Sequence, residues 1–179
     1  MNYNLKLIHN PEFLTARTAF DDFHNQTHIV LGHSINTTIE DLEKLKEIYT
    51  FGFPNAEYSL CTSNESESMK IFCNSFYSVK IQFFNELYLL CNSKELNCDY
   101  NKVKNMMLKN NWINPMHTQV PGTDGKLSYG GYCFTKDTKA LLEFMKKNNT
   151  HHLVLESTIK EKNSMRDDND NIIIKEKII

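Results

Sequence analysis

From Ser63 to about Ser93 the chain contains neither proline nor glycine. That uninterrupted stretch limits the available folds more than any other feature. Glycine and proline are the residues that end helices, so the stretch predicts one long helix, with Ser63 or Ser66 and Glu67 supplying capping chemistry. Its apolar residues occupy most of the circumference. A helix patterned in this way requires burial against several neighbours or against a partner chain.

Ahead of it the pattern changes. "NLKLIH" (4–9) alternates and predicts a short strand, and "NPEFL" (10–14) breaks into a turn because Pro11 disfavours helix at Asn10. "HIVLGH" (28–33) predicts a second strand closed by Gly32. "NTTIEDLEKLKEIYTFGF" predicts a helix with Thr37 or Thr38 as cap and Ile39, Leu42, Leu45 and Ile48 as its apolar stripe, ended by Pro54. Two strands and a helix cannot close a core alone. Residues 1–58 therefore read as the C-terminal part of a larger α/β domain.

Behind the long helix, 100–111 predicts a further helix. "INPMHTQVPGTDGKLSYGGYC" predicts a long loop holding two of the four prolines and four of the six glycines. Residues 136–148 predict a helix with Leu141, Leu142, Phe144 and Met145 as its apolar set, and 153–166 a final one. Residues 59–166 thus read as a helical domain. The tail 167–179 reads as an acidic turn and a strand-like segment. The expected fold class is an α/β fragment followed by a mainly α-helical domain.

The 179 residues are 40% hydrophobic and 11% aromatic, enough for a core, and the net charge of −2 makes no electrostatic case for nucleic acid or an anionic membrane as partner. Five cysteines form no C-x-x-C pair, the opening "MNYNLKLIHNPEF" lacks the apolar core of a signal peptide, and no apolar run suits a membrane span. A reducing, cytoplasmic setting with free thiols is the economical expectation.

Several residues are chemically suggestive. Lys70 and Asn74 lie four apart, on one helix face, where an ammonium and an amide together can stabilise an oxyanion; the plain alternative is a solvated face. Glu12 follows a proline turn at a strand end, a place for a general base, though a surface glutamate is the commoner occupant. Cys133 follows Gly130 and Gly131, whose missing Cβ lets a ligand approach the backbone, and precedes an expected helix N-terminus, which favours thiolate; taken alone, a structural thiol is the commoner occupant. His24, His28 and His33 have a loose metal-like spacing, but a strand through 28–33 would keep them from converging. No G-x-S-x-G, Walker A or G-x-G-x-x-G occurs.

Taken together, "NPEFL" (10–14), "ESMKIFCNSFYSVKIQFFNE" (67–86) and "YGGYCFTKDTKALL" (129–142) resemble, in order and spacing, the UDP-glucose/GDP-mannose dehydrogenase family. The resemblance implies three parts: an NAD-binding Rossmann-type domain, a central helical dimerisation domain and a C-terminal nucleotide-binding domain. This chain looks like the end of the first and the whole of the second. It further implies oxidation of a sugar C6 alcohol to the carboxylate with two NAD+. Cys133 would be the nucleophile, Lys70 and Asn74 would stabilise oxyanions and a bridging water, Glu12 would assist thioester hydrolysis, and Asp137 would help to hold the water or the lysine. Phe13, Leu14, Tyr129, Gly130 and Gly131 would contact the nucleotide sugar, UDP-glucose or GDP-mannose in type, and Lys136 would belong to the cofactor side.

The sequence departs from the family pattern at Ala16, Arg17, Ser128 and Thr135, where a glutamate, two glycines and a proline are usual. The expected readings are a truncated or split nucleotide-sugar 6-dehydrogenase, with a separate chain carrying the missing domains, or a non-catalytic dimerisation module. In either case the long helix would pair two copies. An unrelated small thiol-dependent or metal protein is the remaining alternative.

Overall fold

The computed structural model of the protein describes residues 5–15 and 17–166. Ala16 and the expected turn and strand-like segment of 167–179 lie outside the described residues, as does the first residue of the expected 4–9 strand. Two compact units divide the chain, Met1–Phe72 and Cys73–Ile179.

The first unit carries β1 (Ile8–His9), α1 (Ala19–His24), β2 (His28–His33), α2 (Ile39–Gly52) and β3 (Glu57–Thr62), followed by the start of α3 (Ser63–Cys91). The sheet order is β1-β2-β3. β2 and β3 run parallel, paired from His28↔Glu57 to His33↔Thr62, so β2-α2-β3 is a crossover unit. β1 is antiparallel to β2, with Ile8 opposite His33. β2 matches its expected span, and its Ile29, Val30, Leu31 and Gly32 are all buried, as a central strand covered on both faces requires. Ile29, Leu31 and Leu42 form the core, with Leu45, Tyr49, Phe53, Tyr58 and Leu60 packed around them.

Thr38 is the cap of α2, and its capping box is closed by Asp41. Of the expected first strand only Ile8 and His9 pair among the described residues; the side chains of Leu5 and Leu7 are exposed, while the Leu7 carbonyl accepts from Ser34 and Thr37. β3 and the six-residue α1 were not expected. α1 is too short to show a helical period, and β3 runs straight into α3 without a turn residue to separate them.

The second unit holds the rest of α3, then α4 (Tyr100–Leu108), α5 (Tyr132–Lys147) and α6 (Leu153–Met165). α4 ends three residues earlier than its pattern suggested, and the left-handed Asn111 (φ 61°) lies in the turn beyond it. α5 and α6 form a helical hairpin, tied by Lys146 Nζ to Glu156 Oε1 at 3.0 Å. Phe84, Cys91, Tyr100 and Val120 make the core of this unit. The Tyr100 hydroxyl donates to Thr118 O at 2.7 Å, and burial pushes its pKa up to about 12.

The long helix forms as expected, 29 residues in length. Its cap is a different one: Thr62 and Glu65 bond reciprocally, Glu65 N to Thr62 Oγ1 and Thr62 N to Glu65 Oε2. Its burial is mixed, with Phe84 and Cys91 in the core of the second unit and polar residues buried as well. Asn74, Ser75, Ser78, Gln82 and Asn85 are buried, whereas Phe72, Phe76, Phe83 and Leu90 are exposed in the single chain. In α5, Leu142 is buried but Phe144, expected in the apolar set, is exposed. Among the described residues no helix is long and apolar enough to cross a membrane.

Candidate active site

In the first unit, Lys70 and the proline turn meet. Lys70 Nζ donates to the carbonyl oxygen of Glu12, stands 3.8 Å from Glu12 Oε1 and lies 4.5 Å from the centre of the Phe13 ring. The Glu12 carboxylate also accepts from Leu14 N at 2.6 Å. The ammonium is therefore held by a carbonyl, a carboxylate and an aromatic face together. Three residues that the sequence reading passed over fix this turn. His9 Nδ1 bonds Ser66 Oγ at 2.8 Å, one helical turn before Lys70. Asn10 Nδ2 donates to Val30 O at 2.8 Å, and Tyr49 donates to Asn10 Oδ1 at 3.1 Å. Ser66, read as a possible cap, is instead the anchor for His9.

In the second unit, α3 and α5 are joined by polar pairs. Asn74 Nδ2 donates to Asp137 Oδ2 at 2.6 Å, and Thr138 Oγ1 bonds Ser78 Oγ at 2.9 Å. The other carboxylate oxygen of Asp137 accepts from Lys136 Nζ. That hydrogen bond, followed by the charges of Asp137, Cys133 and Tyr132, holds the Lys136 ammonium above its ordinary range. The Lys136 ammonium also faces the Tyr132 ring at 5.7 Å.

Cys133 is the second residue of α5 and is exposed; Cys91 is buried and Cys61, Cys73 and Cys98 are partly so. The expectation placed Cys133 before the helix, with the helix beginning at Lys136. The helix begins earlier because Gly131, at φ 81°, turns the chain as its N-cap and no proline stands at 135. Leading up to it, Tyr129 is buried and Gly130 partly so. Ser128 is left-handed at φ 59°, buried, and bonded twice to α3: its N–H to Asn85 Oδ1 at 2.8 Å and its hydroxyl to Gln82 Oε1 at 2.6 Å. Gln82 and Asn85 were also missed. Their signal was the polar series Asn74, Ser78, Gln82, Asn85, which recurs at helical spacing inside an otherwise apolar stretch.

Among the described residues no group of three histidine, cysteine or acidic side chains is placed to hold a metal ion. His24 Nδ1 bonds its own helix at Phe20 O, and His28 Nε2 bonds Ser59 Oγ at 2.8 Å.

Comparison with known proteins now identifies the group. Residues 64–164, more than half of the chain, match the UDP-glucose/GDP-mannose dehydrogenase family, central domain. This chain belongs to that family. It is 26% identical over 164 residues to the UDP-glucose 6-dehydrogenase TuaD of Bacillus subtilis, covering 92% of this chain and 33% of that one. It is 32% identical over 160 residues to the UDP-glucose 6-dehydrogenase of Rickettsia bellii, covering 88% of this chain and 34% of the relative. A UDP-glucose dehydrogenase structure from Pyrobaculum islandicum superposes with a TM-score of 0.76 at 26% identity, over 89% of this chain and 34% of the other. The chain thus spans about a third of the length of the relatives it matches. The α/β segment followed by a helical segment is accordingly the architecture of dehydrogenases of this family over that third.

Proposed function

We propose that these residues are the thiol-bearing part of a nucleotide-sugar 6-dehydrogenase, which oxidises a sugar C6 alcohol to the carboxylate. The observation that carries the reading is the placement of Cys133. It is an exposed thiol in the first turn of α5, behind Gly130–Gly131 and one turn ahead of Asp137, which is buried and bonded to Asn74.

The Cys133 thiolate adds to the aldehyde-level C6 to form a thiohemiacetal. Oxidation of that adduct gives a thioester, and water then attacks the thioester carbonyl, releasing thiolate and carboxylate. Lys70 and Asn74 are donors suited to the oxyanion that develops at each addition. Glu12 accepts a proton from the attacking water. Asp137 orients Asn74 and Lys136. Phe13, Leu14, Tyr129, Gly130 and Gly131 are assigned to the nucleotide sugar, a UDP-glucose or GDP-mannose type of ligand. NAD+, when bound, takes the two hydrides. The sequence has no glycine-rich phosphate turn to hold it, so Lys136 is its one contact assigned here and the rest of its site is placed on a nucleotide-binding unit outside the 179 residues, on the same or a separate chain.

The exposed Phe76, Phe83 and Leu90 recur every seven positions along α3 and favour pairing of two copies through that helix. A purely dimerising role without catalysis is the second reading, and the same observation supports it. Cysteines outside any disulfide suit a cytoplasmic setting.

The test is complementation. The 179-residue chain, mixed with the separately produced NAD-binding part of a relative, should form NADH with UDP-glucose or GDP-mannose, and Cys133→Ala should abolish the signal. Absence of NADH with every nucleotide sugar tried, from folded components, would leave the dimerising role standing.

A further inference from the structure

Arg166 sits just past the end of α6, more than thirty residues beyond Cys133, and its side chain is only 4% exposed. Its guanidinium donates to Leu127 O at 3.2 Å, to Ser128 O at 3.3 Å and to Asp124 Oδ2 at 2.6 Å. The bond to Arg166 holds the Asp124 carboxyl below its usual range. Gly130 packs directly on the same group: a Cβ there would lie 2.4 Å from Arg166 Nη2 and 2.7 Å from Cζ. Ser128 is also held from α3, by Gln82 and Asn85. The segment 124–130 is thereby fixed at both carbonyls, one amide, one carboxylate and one glycine face, and it runs without a break into Gly131, the N-cap of α5.

A planar cation with five donors is suited to this work, whereas a lysine could not hold three acceptors in one plane. An arginine this deeply buried is costly to desolvate, and its removal would leave two carbonyl oxygens without their donor. Only two residues separate the glycine that it touches from the thiol.

We propose that Arg166 is a positioning residue for Cys133: by clamping 124–130 from the end of α6 it sets the start of α5 and thus the setting in which the thiol reacts. The proposal rests on the reading of Cys133 as the nucleophile. It acts through the loop, without contact between Arg166 and the reacting atoms.

The experiment is a two-by-two set, parent, Arg166→Ala, Gly130→Ala and the double variant, in the full 179-residue chain. The pH profile of Cys133 alkylation by iodoacetamide is read by peptide mass spectrometry, with Cys61 as internal control and amide exchange at Ser128 as the report on the loop. Each single variant should raise Ser128 exchange and change the Cys133 rate by about fivefold or more with a displaced midpoint, while Cys61 is unchanged. Once the guanidinium is gone the added methyl meets nothing, so the double variant should match Arg166→Ala alone. Should Arg166→Ala fail to fold, Asp124→Asn, which weakens one of the three bonds, should displace the profile in the same direction by less. A Cys133 profile unchanged while Ser128 exchange rises would overturn the proposal and leave Arg166 a structural staple. Unchanged exchange, or effects that add in the double variant, would overturn it too. A parent Cys133 no more reactive than Cys61 would instead sink the nucleophile reading; a displaced profile in Arg166→Ala would still uphold the positioning.

Discussion

Asn74 on α3 and Asp137 on α5 are joined by a 2.6 Å hydrogen bond with both residues buried, 5% and 7% exposed. The amide donates to a carboxylate whose second oxygen is taken by Lys136, so each member depends on the others for a partner. Asp137→Ala should therefore destabilise the second unit by about 2–3 kcal/mol, because it strands a buried amide donor as well as deleting a bond. Asp137→Asn keeps the volume and can still accept from Asn74, so its cost should be nearer 1 kcal/mol. Urea unfolding followed by circular dichroism gives both values. Equal midpoints for parent and Asp137→Ala would mean that the pair contributes nothing.

Ser128 occupies a left-handed position, φ 59°, that ordinarily suits glycine. Its hydroxyl bond to Gln82 and amide bond to Asn85 compensate. Ser128→Gly removes the backbone strain and the hydroxyl together, whereas Ser128→Ala removes only the hydroxyl and keeps the strain. We expect Ala to cost about 1–3 kcal/mol and Gly less by roughly 1 kcal/mol. The reverse order in thermal unfolding would show that the left-handed backbone at Ser128 carries no strain for glycine to relieve.

How far the chain was readable depended on whether a feature is periodic or a matter of distance. The span of β2 and the length of α3 follow from local composition, and both were legible. The location of Cys133 behind two glycines was legible too, although its place inside α5 was not, because Gly131 acts as a cap through a backbone angle that letters do not display. The apolar count of α3 suggested burial on most sides, and Phe84 and Cys91 do lie in the core, but Asn74, Ser78, Gln82 and Asn85 are buried too, on partners some forty to sixty residues away that helical spacing does not reveal. Arg166 is the extreme case. Nothing in "NSMRDD" announces that its arginine closes on a glycine-rich loop.

His117 is left-handed at φ 66° and packs its ring 4.6 Å from Tyr77 and 5.6 Å from Phe134. Its Nδ1 is buried without a hydrogen-bond partner among the described residues. Burial first, and the charge of Lys80 second, hold its pKa below the ordinary value. The unfolded chain takes up a proton near pH 6.5 and the folded chain only below that. The contribution of this residue is thus intact above about pH 6.5 and is lost as the pH falls through the lower, folded value. Melting temperature should drop on acidification through that window. His117→Phe, which keeps the aromatic packing and removes the titration, should flatten the drop. A parent curve without any decline there would refute the assignment.

Phe76, Phe83 and Leu90 stand seven apart on α3, and Phe76 and Phe83 are 61% and 52% exposed in the single chain. Seven residues nearly complete two helical turns, so the three side chains form one ridge along the helix. Exposed aromatics in such a row are unstable against water, and a second copy of the same helix is the simplest surface to cover them. A glutamate at the middle position would place a charge at the centre of that seam. Phe83→Glu should weaken self-association by about 2 kcal/mol or more, at least a thirtyfold rise in the dissociation constant, without loss of helical signal. Multi-angle light scattering across a concentration series would read this directly. A parent chain that stays monomeric at high micromolar concentration would remove pairing through α3, and with it the dimerising role as an account of what this chain does.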